Sequence, residues 1–241
     1  MDTIKIEKKN VKMVAHRGLS GLERENTNPA FVAAGNRSYY GIETDVHVTK
    51  DGKFVIIHDE TTDRVSMEKY SVNIEESNYS DFCDIVLPDT DGSLNRQDIK
   101  IPLLIDYIKI CKKYEKTCVL EVKNAFSEED LKKLVEEIRQ EEYLQNVIFI
   151  SFDLGNCVTL RKLLPESRIQ WLVCEINDEI LKTLTDNKLD VDAYYKALTK
   201  ENVEKLHSLG IAVNCWTCDD KSDAENLVEY GVDFITSNIL E

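Results

Sequence analysis

The 241-residue chain carries 30 Lys and Arg against 45 Asp and Glu, a formal net charge of −15. Such a surface repels phosphate backbones and anionic lipid, which argues against a nucleic-acid binder or a membrane-docking protein. With 42% hydrophobic residues it can fill one large core, and its length falls in the range of one α/β barrel.

The first ten residues, MDTIKIEKKN, contain no apolar signal region. No stretch approaches the ~18 consecutive apolar residues of a membrane span. Seven cysteines, odd in number and scattered, form no disulfide framework and suggest reduced thiols. The expectation is a soluble cytoplasmic protein without stable membrane association. Cys215 and Cys218 form a C-x-x-C pair, but it stands alone inside an apolar run and reads as structural.

Lys12 to Ala15 reads as the first strand. Asn28-Pro29 precedes an apolar-periodic run, Ala30 to Asn36, with proline suited to a first helical turn. Gly41 to Thr49 is rich in Thr, Val and Ile and alternates, so it reads as a strand. Asp51-Gly52 then signals a tight turn that sends the chain back through Phe54 to Asp59. Residues 60–100 are polar and lack a sustained period. They are too long for an ordinary loop and read as an insertion over one end of the sheet.

From Ile101 a strict alternation sets in. Helices are expected over Leu103 to Tyr114, Ser127 to Tyr143, Leu154 to Leu164, Asn177 to Asn187, Thr199 to Leu209 and Ser222 to Tyr230. Strands are expected over Thr117 to Lys123, Val147 to Phe152, Arg168 to Cys174, Val191 to Leu198, Ile211 to Cys218 and Val232 to Ser237. Ser127, Asn177 and Thr199 are N-cap residue types, and Gly231 suits a helix end. Eight strands with intervening helices predict a parallel sheet closed as a (β/α)8 barrel, with the last helix missing or reduced to Asn238–Glu241. An open doubly wound sheet is the alternative, but no Gly-rich dinucleotide or phosphate loop supports it.

Chemistry concentrates between Val14 and Arg64. Side chains two apart on a strand share a face, so Glu43 and Asp45 point the same way. Two adjacent carboxylates repel unless a proton or cation lies between them, and a hard divalent ion, Ca²⁺ or Mg²⁺, suits an all-oxygen pair. His16 ends the first strand, Arg17 follows it, and the hairpin returns His58 toward the same place. Strand ends of a parallel barrel are where reacting groups collect.

These residues carry a resemblance. His16-Arg17-Gly18, Glu25-Asn26-Thr27, Glu43-Thr44-Asp45-Val46, Thr49-Lys50-Asp51-Gly52 and His58-Asp59 stand in the order and spacing of the glycerophosphodiester phosphodiesterase family. Ile101-Pro102, Leu120 to Lys123 and Cys215-Trp216-Thr217 extend the match over nearly the whole chain. One departure is Leu103-Leu104-Ile105, where the family usually has Thr-Leu-Glu.

The resemblance implies one TIM-barrel domain over residues 1–241, with the insertion at 60–100. It implies hydrolysis of a small glycerophosphodiester, such as glycerophosphocholine, to glycerol 3-phosphate and an alcohol. It also implies Glu43, Asp45 and Glu121 as ligands of a divalent metal. His16 and His58 then form an acid–base pair, because imidazole titrates near neutrality and can take or give a proton. The sequence does not say which does which. Arg17 and Lys123, the latter two residues after Glu121, would face phosphate oxygens. Glu25 is expected to line the site or fix its loop. Trp216, and less directly Phe152, would wall a glycerol pocket. His47 shares the face of Glu43 and Asp45 but reads as structural, and an inward Lys196 could reach phosphate. Activity on lysophospholipids or another phosphodiester remains the rival reading. A ligand-sensing module without activity would be expected to have lost one of the five catalytic and ligand residues, and all five are present. Oligomeric state is not readable.

Overall fold

The computed structural model describes residues 2–241. The elements are β1 (Lys12–Ala15), α1 (Asn28–Gly35), β2 (Gly41–Val48), β3 (Phe54–Ile56), α2 (Leu104–Lys113), β4 (Thr117–Val122), α3 (Glu128–Gln140), β5 (Val147–Ser151), α4 (Leu154–Leu163), β6 (Arg168–Val173), α5 (Asp178–Asn187), β7 (Asp190–Tyr194), α6 (Lys200–Ser208), β8 (Val213–Trp216), α7 (Lys221–Tyr230) and β9 (Phe234–Ser237). All strands run parallel except β3, which folds back antiparallel on β2. The order is β8-β7-β6-β5-β4-β2-β1-β9. Asp233 N donates to Val213 O at 2.9 Å and Cys218 N to Thr236 O at 3.0 Å, which joins β9 to β8 and closes the ring. The result is the expected (β/α)8 barrel, a TIM barrel lacking its last helix.

Local sequence sets the helix starts. Thr27, Ser127, Asn177 and Thr199 each accept a backbone N–H of the first turn through the side chain, as N-caps do. Gly231, at φ +86°, ends α7 in the left-handed conformation open to glycine. The main core lies between strands and helices, built from residues such as Ile42, Leu120, Phe149 and Val191.

Three expected strands are longer than the observed ones by two or more residues. β7 ends at Tyr194, and Tyr195–Ala197 form a 3-10 turn. That turn carries Lys196 over the Tyr195 ring and away from the barrel mouth, so it does not reach toward phosphate. β8 and β9 are four residues each. Gln170, Asp192, Asn214 and Thr236, one from each of β6 to β9, are all at least 99% buried and form a hydrogen-bonded polar group. Only Val14, Val119, Ile148, Ile150, Leu172 and Phe234 form a small separate apolar cluster in the sheet.

Between β3 and α2, the chain is irregular apart from the 3-10 turn Tyr79–Asp81. It is nonetheless packed. Ile57, Val65, Ile74, Phe82, Leu87, Ile99 and Ile101 bury themselves against Val55 as a second apolar cluster. At the opposite end of the sequence, Ile6 N donates to Glu241 O and Glu241 N to Ile4 O, at 3.1 and 2.9 Å. The last residues therefore pair with the N-terminal segment.

Candidate active site

The site sits at the C-terminal ends of the strands. Asp45 on β2 is the register partner of Glu121 on β4, and Glu43 precedes it on the same face. All three are at least 92% buried, and one oxygen of each lies within 4.8 Å of the others. Asp45 Oδ1 accepts no hydrogen bond. A buried, convergent, all-oxygen set with an orphaned oxygen is the donor chemistry of a hard divalent cation. The residues present fit such an ion.

The charges around the triad are arranged against its own repulsion. Lys123 Nζ bonds Glu121 Oε1 at 2.8 Å and lies 3.6 Å from Asp45 Oδ1. Arg17 Nε lies 3.5 Å from Asp45 Oδ2. Burial opposes ionisation of Asp45, yet Arg17, Lys123 and His58 outweigh it and hold this carboxyl low. Glu43 goes the other way. Burial, then the neighbouring Asp45 and Glu121, push it well above the ordinary carboxylate range. Burial and Asp45 also raise Glu121. Two basic side chains cannot fully neutralise three packed carboxylates.

The backbone after β1 is bent to serve this cluster. Arg17 and Gly18 both have positive φ, +54° and +76°. Arg17 N donates to Glu43 Oε2 at 2.8 Å and Gly18 N to Glu43 O at 3.2 Å. A Cβ on Gly18 would lie 2.7 Å from Ala30 Cβ and 2.8 Å from the Ala30 backbone carbon. Gly18→Ala should therefore cost about 3 kcal/mol, from the disfavoured φ and the overlap with α1, readable as a lowered urea midpoint at unchanged slope.

His16 Nδ1 lies 2.8 Å from Asn238 Oδ1. Asn238 Nδ2 donates to Asp219 Oδ2 at 2.6 Å, which orients the amide so that its oxygen faces the ring. His16 thus donates from Nδ1, and Nε2 keeps its lone pair, 3.9 Å from Glu43 Oε2 and 3.5 Å from Thr217 Oγ1. Burial first, then Arg17, push His16 down to about 4. The unfolded chain would protonate this ring near 6.5, so between pH 6.5 and 4 the unfolded state binds the extra proton. Stability should fall as pH drops through that window, by up to about 3 kcal/mol from this group. In chelator, His16→Gln should remove that part of the slope in urea titrations from pH 7 to 4. Equal slopes for both proteins would contradict it.

His58 stands across the cluster, one-third exposed, with Nδ1 2.7 Å from Asp59 Oδ1. Burial lowers its pKa, Asp45 opposes this, and Arg17 and Lys123 add to the lowering. Its backbone carbonyl lies 3.3 Å from His47 Nε2, and His47 Nδ1 lies 2.8 Å from Glu75 Oε1. His47 is thus a buried tie between β2, the His58 backbone and the segment after it.

Glu25 lies outside the cavity and is held by two guanidiniums. Arg17 Nη1 and Arg64 Nη2 donate to Oε1 at 2.8 and 2.9 Å, and Arg64 Nη1 to Oε2 at 2.9 Å. Burial resists ionisation of Glu25, but Arg64 and Arg17 hold its carboxyl down to about 2. Arg64 also grips Asp59 through Nε at 2.6 Å and Nη2 at 3.1 Å. One guanidinium thus links the partner of Arg17 to the partner of His58. Sequence reasoning passed over Arg64, Asn238 and Asp219, which carry no local pattern.

A small cavity of about 110 Å³ opens on this constellation. His16, Arg17, Glu43, His58 and Glu121 occupy one side, with Ile150, Phe152, Leu172 and Trp216 on the other. Phe152 and Trp216 meet edge to face at 5.4 Å, and Trp216 Nε1 donates to Asp192 O at 3.1 Å. Lys123 stands behind, bonded to Glu121.

The profile of the glycerophosphoryl diester phosphodiesterase family matches residues 16–240. The chain belongs to that family. A glycerophosphodiester phosphodiesterase of Bacillus altitudinis is 29% identical over 236 residues, covering 93% of each chain. One from Caldanaerobacter subterraneus subsp. tengcongensis is 28% identical, covering 94% of this chain and 93% of its own. Among solved structures, an Oleispira antarctica phosphodiesterase in complex with the product sn-glycerol-3-phosphate superposes with a TM-score of 0.87 at 25% identity, over 94% of this chain and 92% of its own. A Parabacteroides distasonis glycerophosphodiester phosphodiesterase gives 0.79 at 28%, over 96% and 94%. This family of enzymes hydrolyses glycerophosphodiesters, and the barrel described above is its fold. Among the described residues, no helix is long and apolar enough to cross a membrane.

Proposed function

We propose that this protein hydrolyses glycerophosphodiesters such as glycerophosphocholine to glycerol 3-phosphate and an alcohol, with His16 as base and His58 as acid. The observation that carries the reading is a buried three-carboxylate cluster, two members of which, Glu43 and Glu121, line one small cavity with two imidazoles and an arginine. Glu43, Asp45 and Glu121 would hold a divalent ion, Ca²⁺ or Mg²⁺, which supplies Lewis-acid stabilisation of phosphoryl charge when bound.

His16 is kept neutral by burial, with Nδ1 donating to Asn238, so Nε2 can take the proton of the attacking oxygen. His58, more exposed than His16 and with Asp59 at Nδ1 opposing the lowering of its pKa by burial, would give a proton to the departing alkoxide. Arg17, lining the cavity, offers its guanidinium to the phosphoryl oxygens. Lys123 adds positive charge behind the triad and keeps Glu121 aimed. Trp216 and Phe152 give the non-reacting part an apolar wall. Local cations thus meet an anionic substrate against the field of a −15 chain.

The test is turnover, with Ca²⁺ or Mg²⁺ added, of glycerophosphocholine, glycerophosphoethanolamine, a lysophospholipid and bis(p-nitrophenyl) phosphate. Release of glycerol 3-phosphate from the first two is the expected result. Cleavage of the lysophospholipid without glycerol 3-phosphate release would replace this reading with the lipid one.

A further inference from the structure

The floor of the cavity holds a carboxyl that the mechanism above does not use. Asp192, on β7, is 99% buried, yet it lines the same cavity as the two histidines. Its Oδ2 accepts from Asn214 Nδ2 at 3.1 Å. Its Oδ1 has no hydrogen-bond partner. Buried carboxyl oxygens are rarely left this way, because the unmade bond is costly.

Asn214, its one side-chain partner, cannot relieve it. Asn214 Nδ2 also donates to Gln170 Oε1 at 3.0 Å, and its Oδ1 accepts from Cys215 N at 2.8 Å and Thr236 Oγ1 at 3.3 Å. Every polar atom of that amide is committed, so it cannot turn. The Asp192 backbone is pinned by the Trp216 indole. Arg17 and Lys123 are occupied with Glu25, Asp45 and Glu121. An unpaired, buried oxygen thus belongs to a side chain that lines the same cavity as Ile150, Phe152, Leu172 and Trp216.

We propose that Asp192 is the specificity-determining residue of this cavity, and that its Oδ1 hydrogen-bonds a hydroxyl of the substrate's glyceryl arm. The inference rests on the phosphodiesterase reading above and adds an orientation to it. A hydroxyl can donate or accept, so it completes Oδ1 whether the carboxyl is charged or neutral. A quaternary ammonium or an alkyl chain can do neither. The glyceryl arm therefore enters the barrel, beneath Trp216, and the departing alcohol faces outward.

The experiment compares glycerophosphocholine with propyl phosphocholine, which keeps the phosphodiester and the choline and carries no hydroxyl. Wild-type enzyme should favour the glyceryl ester in kcat/KM by about 100-fold, within the range for leaving one buried oxygen unpaired. Asp192→Leu should shrink that preference to within about 3-fold, by slowing the glyceryl ester while sparing the propyl one. Asp192→Asn, nearly isosteric, should reduce it several-fold and carries the test should the leucine variant misfold. Hydroxyl preference arising elsewhere in the site would survive in the leucine variant and keep its ratio near the wild-type value. Parallel losses on both esters, or an unchanged ratio, would overturn the proposal. The unchanged ratio is also what a water bound at Asp192 Oδ1 would give.

A binding readout separates this inference from the reading beneath it. In calorimetry, glycerol 3-phosphate should bind wild type at least about 10-fold tighter than propyl phosphate, and the gap should close in Asp192→Leu. A protein that turns over neither ester but keeps that gap would fail as a phosphodiesterase and still sustain the role of Asp192.

Discussion

Chelation should lower turnover of glycerophosphocholine by about 1000-fold or more, with recovery on adding a divalent cation back. Glu43→Gln should produce the same loss without recovery. The expectation follows from charge. Glu43, Asp45 and Glu121 are buried, within 4.8 Å of one another, and faced by only Arg17 and Lys123. In the metal-free protein that packing holds Glu43 far above its ordinary range, through burial and its two acidic neighbours. A group whose folded pKa is raised contributes stability below its unfolded pKa and loses it as pH rises. At neutral pH the metal-free triad is therefore a source of strain. A divalent ion should stabilise wild type by about 2.7 kcal/mol when present at 100 times its dissociation constant. Without metal, Glu43→Gln should be at least as stable as wild type, because it removes one buried acid, and added cation should raise its melting temperature little. A variant less stable than metal-free wild type, yet stabilised as strongly by cation, would remove Glu43 from the ligand set.

Much of this arrangement was legible because it is local. Glu43 with Asp45, and Glu121 with Lys123, are pairs two apart on strands, and alternation alone puts each pair on one face. The caps at Ser127, Asn177 and Thr199 are likewise written within four residues of the helices they start. What stayed hidden depends on contacts far apart in sequence. Asn238 meets His16 across 222 positions, and Arg64 meets Glu25 across 39. An Asn near the end of the chain and an Arg in a polar insertion look ordinary until the barrel closes. The polar lining of β6 to β9 misled in a different way. Asp192 and Asn214 fall among apolar letters, which read as an apolar barrel interior where the structure has a hydrogen-bonded one. Periodicity reads which face is buried, and it cannot tell an apolar interior from a hydrogen-bonded one. The insertion concealed its apolar cluster for a related reason. Its buried residues, from Ile57 to Ile101, follow no helix or strand period.

The two histidines should separate when the leaving group is varied. His16→Ala and His58→Ala should each lower kcat/KM for glycerophosphocholine by about 100- to 10,000-fold, the range of a lost general acid or base. Choline departs as a poor leaving group and needs a proton. p-Nitrophenol does not, since it leaves as a stable anion. On a glycerophosphoryl p-nitrophenyl ester, His58→Ala should therefore recover to within about 10-fold of wild type, while His16→Ala stays impaired. The assignment rests on the ring partners. The Asn238 amide, oriented by Asp219, accepts from His16 Nδ1 and leaves Nε2 free to accept, and burial holds that ring neutral down to about 4. His58 Nδ1 faces the Asp59 carboxylate instead; burial, Arg17 and Lys123 still lower the ring's pKa, Asp45 and Asp59 oppose this, and the approach of an anionic phosphodiester favours the protonated form. Recovery of His16→Ala and not His58→Ala would exchange the two roles and leave the metal cluster as argued. Equal impairment of both variants on both esters would mean that leaving-group protonation is not what His58 supplies.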